Sequence, residues 1–110
     1  MTEPSQNLVS NDMAFIKVTL TRIIDTAFPT HGEFQLTDTS GEVVVIHEKL
    51  PVMGVDMSAA EPKLPIEVKM ACSVTSKTQV DVLIDTNIPH GIADVHGQTQ
   101  FRVSADKLID

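Results

Sequence analysis

The stretch Glu33-Phe34-Gln35-Leu36-Thr37-Asp38-Thr39-Ser40-Gly41-Glu42-Val43-Val44-Val45-Ile46-His47-Glu48 decides the fold. Phe34 and Leu36 alternate with polar residues, the period of two that marks a half-buried strand. Asp38-Thr39-Ser40-Gly41 is turn chemistry: Asp and Ser side chains bond the local backbone, and Gly accepts positive φ. Residues 43–46 are apolar on both faces, so this second strand is expected to be central or covered on its outer side. Two strands joined by such a turn form an antiparallel hairpin.

Upstream, Ile16, Val18 and Leu20 alternate with Lys17, Thr19 and Thr21, which predicts another strand. The alternation loses phase near Arg22 and Ile23, where a bulge or sharp bend is expected. Pro29 and Gly32 then interrupt regular structure. Residues 1–12 are polar and read as a mobile lead-in, leaving 13–110 as a single β domain.

Downstream, residues 49–65 carry Pro51, Gly54, Pro62 and Pro65. They read as a long loop with one helical turn at Ser58-Ala59-Ala60-Glu61. Met53, Val55 and Met57 in it are apolar and suit a lid over the open end of a barrel. Residues 66–76 alternate again, with Glu67, Lys69, Ser73 and Thr75 outward. After a turn at Ser76-Lys77-Thr78, residues 79–86 place Val80, Val82 and Ile84 inward. Asn87 to Gly97 is a second long loop. Residues 99–103 form a last strand with Phe101 and Val103 inward, and 104–109 form a terminal helical turn or short strand that Ser104 is placed to cap.

The sum is a mainly β chain of about six antiparallel strands with little helix. A partly open small barrel is favoured over a two-layer sandwich, because the first and fourth strands are long enough to bend across two sheets.

Composition narrows the function classes. The chain has 110 residues and a net charge of -7, from 15 acidic and 8 basic residues, with four Phe and no Trp or Tyr. An acidic surface repels phosphate backbones, and scarce aromatics leave few stacking platforms, so nucleic-acid binding is not expected. The same acidity favours solubility or a basic partner. No apolar run approaches the roughly 20 residues of a membrane helix. The start MTEPSQNLVSND lacks the basic and apolar regions of a signal peptide. The expectation is a cytoplasmic protein with no membrane association. A single cysteine excludes an intrachain disulfide. Cys72 belongs to the apolar series Ile66, Val68, Met70, Cys72, Val74 and reads as a buried structural thiol.

Few residues suggest chemistry. His47 and Glu48 are adjacent on a strand and point to opposite faces. Asp81 and Asp85 share a face, with Ser73 or Thr75 across the hairpin. Such a carboxylate pair suits acid–base work only if its environments split the two pKa values, and on an exposed strand it is a solvated face. There is no nucleophile elbow, phosphate loop or dinucleotide fingerprint. The most unusual stretch is Ile88-Pro89-His90-Gly91-Ile92-Ala93-Asp94-Val95-His96-Gly97. His90, Asp94 and His96 are its candidate ligand contacts, with His47 as a distant helper. Loops 49–65 and 88–97 are expected either to form one recognition rim or to serve as plain connections.

The strand count, the long middle connection and the hairpins at both ends resemble the oligonucleotide/oligosaccharide-binding barrel across roughly residues 13–105. Val18-Thr19-Leu20-Thr21-Arg22-Ile23-Ile24-Asp25 and Pro89-His90-Gly91-Ile92 are similar to segments of small uncharacterised bacterial proteins with no assigned activity. Neither resemblance transfers a site residue. The reading is a non-enzymatic binding or interaction module with an acidic surface, engaging a protein partner or a second copy of itself. The alternative is a small-molecule or metal-binding domain centred on residues 88–97. No catalytic residue, resident metal or cofactor is assigned.

Overall fold

The computed structural model describes residues 12–27, 29–55 and 63–109. The strands are β1 (Asp12–Asp25), β2 (His31–Thr37), β3 (Val43–Lys49), β4 (Ile66–Lys77), β5 (Asp81–Asp85), β6 (Gln100–Ser104) and the short β7 (Leu108–Ile109). They form one antiparallel sheet in the order β3-β2-β1-β4-β5-β6, with β7 added beside β1. The expected mainly β architecture is what the chain adopts. The sheet curls into a half-barrel, and no α-helix occurs among the described residues.

The curl follows from β1. Its first part pairs with β4, from Asp12↔Val74 to Leu20↔Ile66, and its second part pairs with β2, from Thr19↔Gln35 to Asp25↔His31. One strand thus serves two halves of the sheet. The register shifts between Leu20 and Arg22, and again between Ile23 and Asp25, where the sequence loses its period of two. A bulge increases local twist and bends the strand.

The two ends of the sheet are tied together by loops. Thr39 N in the β2–β3 turn donates to Arg102 O of β6 at 2.9 Å, and Val95 N donates to Val45 O of β3 at 2.9 Å. The concave face is filled by the inward residues of the strands, among them Ile16, Leu20, Phe34, Ile46, Met70, Ile84 and Val103. Leu50, Met53 and Ile92 seal it from the connections. The expected lid role of Met53 and Val55 agrees with this packing. Met57 and the helical turn expected at Ser58–Glu61 lie outside the described residues, as does most of the expected lead-in.

Five local expectations are corrected. Residues 50–53 are a 3-10 turn (Leu50–Met53) begun by Pro51 and stopped by Gly54 at φ 73, where the fixed φ of proline and the left-handed freedom of glycine fit. Val80 points outward and is 74% exposed, because the turn runs to residue 80 and β5 starts only at Asp81. Ser73, expected outward, is buried. Residues 43–46 do not form a central strand: β3 ends the path, Val43 is exposed, and Val95 covers part of the outer edge. At the C-terminal end a 3-10 turn (Ala105–Lys107) and β7 both form, and Ser104 makes no side-chain capping bond.

Candidate functional site: a groove along the edge of β4

Among the described residues, residues 66–71 of β4 are paired on one side only. Their partner is β1, whereas β5 joins β4 only from Ser73↔Asp85 to Lys77↔Val82. Among the described residues, no turn or loop backbone group bonds to the second edge of residues 66–71. An unpaired strand edge presents a row of N–H and C=O groups available to another chain.

A cavity of about 540 Å³ runs along this edge. Ile66, Glu67, Val68 and Lys69 all line it. Consecutive strand residues point to opposite faces, so a cavity that touches all four must border the strand's edge. Residues 51–55 form one wall, and His90, Phe15 and Ala71 complete the lining. The two long connections therefore meet at one concavity.

Local bonding fixes each wall. Leu50 N donates to Thr30 O at 2.8 Å and Val55 N donates to Leu50 O at 3.0 Å, which holds residues 50–55 against the barrel end. On the other side, Thr86 is fully buried, and its hydroxyl lies 2.7 Å from Ile92 O and 3.2 Å from Thr99 O. Gly91 N donates to Asn87 O at 2.8 Å with Gly91 at φ 67, closing the tight turn that presents His90.

The outer face beside the groove carries Phe15, which is 45% exposed, directly across from Ala71. Lys69 Nζ sits over the Phe15 ring, 5.1 Å from its centroid, a cation–π placement. Lys69 is also the cross-strand partner of Lys17, a like-charge pair that disfavours the native state. Among the described residues neither Glu67 nor Lys69 belongs to an ion pair. Sequence reasoning missed Phe15 and Lys69. The available signal was Phe15 itself, a large apolar residue out of phase with Ile16, Val18 and Leu20.

Of the three loop residues singled out from sequence, His90 lines the groove, while Asp94 and His96 do not. Asp94 is buried, and its Oδ1 accepts from His96 N at 2.9 Å and Gln98 N at 2.8 Å. Its carboxylate organises its own loop. His96 is exposed. The other histidines are engaged elsewhere: His31 Nδ1 is 2.9 Å from Pro29 O, and His47 Nε2 is 3.1 Å from Glu33 Oε1. Among the described residues no group of three or more His, Cys, Asp or Glu is placed to hold a metal ion.

The remaining polar candidates are committed locally. Asp81 Oδ1 accepts from Arg102 at 3.1 Å and from Thr78 Oγ1 at 3.0 Å, and Asp85 Oδ1 accepts from Asn87 N at 2.9 Å. Cys72 is buried, and burial, with the Asp85 charge adding to it, pushes its thiol up to about 12. A thiol so protonated is a poor nucleophile at neutral pH. Among the described residues no helix is long and apolar enough to cross a membrane.

No family model, curated protein or solved structure matches the chain.

Proposed function

We propose that the protein is a non-enzymatic binding module whose recognition surface is the groove along residues 66–71 of β4. The observation that carries this reading is the meeting of an unpaired strand edge with both long connections at one cavity. Such an edge accepts an extended polypeptide by strand addition. Main-chain hydrogen bonds supply affinity, and flanking pockets select side chains. Phe15, Val52 and Ala71 offer the apolar contacts, while Glu67 and Lys69 set charge and register. The engaged carboxylates of Asp81, Asp85 and Asp94 support a binding role over acid–base catalysis. The net charge of -7 supports a partner other than nucleic acid.

A second reading keeps His90 as a contact for a small molecule, since about 540 Å³ falls within the range of ligand cavities, roughly 300–1,000 Å³. Amide chemical-shift mapping separates the two. Extended peptides that shift the amides of residues 66–71, Val52 and His90 support strand addition. A metabolite or divalent metal that raises the melting temperature and shifts His90 and His96, with residues 66–71 unmoved, overturns it in favour of the second reading.

A further inference from the structure

We infer that the extended polypeptide received at the β4 edge is β4 of a second copy of this chain, an inference that rests on the strand-addition reading above. The charges along the edge are self-complementary. Glu67 and Lys69 flank Val68 on the outer face of one strand, exposed and without an ion-pair partner among the described residues. A two-fold antiparallel pairing through Val68 sets Val68 opposite its own copy. It sets Ile66 opposite Met70, and Glu67 opposite Lys69, each twice. Directly opposed opposite charges stabilise a strand pair. The second carboxylate also relieves the unfavourable Lys17–Lys69 juxtaposition within each protomer.

Other registers are poorer. Centring the pair on Lys69 opposes two ammonium groups, and centring it on Glu67 opposes two carboxylates, both of which are destabilising. The Val68-centred pairing works whether the even or the odd residues direct their N–H and C=O groups outward, because both sets are symmetric about it. Pro65, which has no N–H to donate, limits the ladder at one end, and the start of β5 pairing at Ser73 limits it at the other. The result is a continuous sheet through two half-barrels with closed two-fold symmetry, which leaves neither β4 edge open.

The test is sedimentation of the purified chain across the micromolar to millimolar range, with K69E, E67K and the exchanged variant E67K/K69E. The wild type is expected to dimerise, each single variant to weaken the dimer by about tenfold, and the exchanged variant to restore it. Both side chains are exposed, and K69E places a carboxylate opposite Lys17, so the fold is retained; far-UV circular dichroism verifies this. A wild type that stays monomeric throughout overturns the inference, as does a dimer indifferent to both single variants. A monomer whose β4-edge amides still shift with extended peptides overturns the second copy as occupant and leaves the strand-addition reading standing. A groove inert to peptides and copies alike overturns both.

Discussion

Glu33 on β2 and His47 on β3 are direct cross-strand partners, and Glu33 Oε1 stands 3.1 Å from His47 Nε2 and 3.0 Å from the Arg22 guanidinium. Thr21 Oγ1, on the bulge of β1, reaches the same carboxylate at 3.2 Å. One carboxylate thus joins β1, β2 and β3 on the outer face of the half-barrel. The Arg22 and His47 hydrogen bonds hold it well below its ordinary value, from 4.5 to about 2. An ionised carboxylate only accepts, so His47 Nε2 carries a proton.

That depression sets an acid limb of stability. Between pH 4.5 and about 2 the unfolded chain binds a proton at Glu33 that the folded chain does not. The contribution is therefore present above pH 4.5 and is lost as pH falls toward 2. Arg22 is 61% exposed, which keeps the pair near the scale of surface ion pairs, about 0.5–1 kcal/mol. Glu33→Gln should lower stability by about that much at neutral pH and match the wild type near pH 2. Urea titrations at both pH values check this; an equal deficit at both assigns the loss to packing.

Gly32 has no room for a side chain. A Cβ there would meet Leu20 Cδ1 at 2.7 Å and Leu50 Cδ2 at 2.8 Å, and both leucines are buried. Gly32→Ala should destabilise by about 1–3 kcal/mol, as overpacking does. Shortening one neighbour in Gly32→Ala/Leu50→Val should recover part of the loss. Thermal melts of the single and double variants decide it, and a neutral single variant would refute the close approach.

The strands were legible in the sequence because each buries one face and the period of two is written in β-branched and long aliphatic residues. The bulge after Leu20 was legible for the same reason, as a slip in that period. Val80 was misread because alternation continues into a turn that Thr78 sets: Asp81 N donates to Thr78 Oγ1 at 3.0 Å, and Thr78 N donates to Asp81 O at 2.8 Å. No pattern along one strand reports such a bond. The edge of β4 was invisible for a related reason. Whether a strand has one neighbour or two is set by where β5 stops, and that is fixed by pairing across the sheet, not by residue type. His90 stands out in the sequence because the loop chemistry around it is unusual, whereas Asp94 is acidic for the sake of its own turn.

Asp94 offers a direct contrast between a turn residue and a ligand. Its Oδ1 accepts two backbone amides, which Asn reproduces and Ala does not. Asp94→Ala should cost about 1.5–3 kcal/mol, the scale of hydrogen bonds to a charged group, and Asp94→Asn should lie much closer to the wild type. Chemical denaturation of both variants measures this. An Asn variant as damaged as the Ala variant would mean that the charge, and not the turn, is what the loop requires.

Thr86 links the core to the loop that carries His90. Its hydroxyl is 2.7 Å from Ile92 O, and its backbone both donates to Thr99 O at 2.8 Å and accepts from Ile92 N at 3.0 Å. Thr86→Val keeps the shape and removes the hydroxyl, leaving the Ile92 carbonyl without that donor. A buried polar group so abandoned costs about 1–3 kcal/mol. The effect should be local as well as global. Hydrogen exchange at the Gly91 and Ile92 amides should accelerate more than at β1 or β2, because the Asn87–Gly91 turn loses its anchor before the sheet loosens. Uniform acceleration across all strands would instead mean that the hydroxyl serves the core and leaves the His90 wall of the groove unaffected.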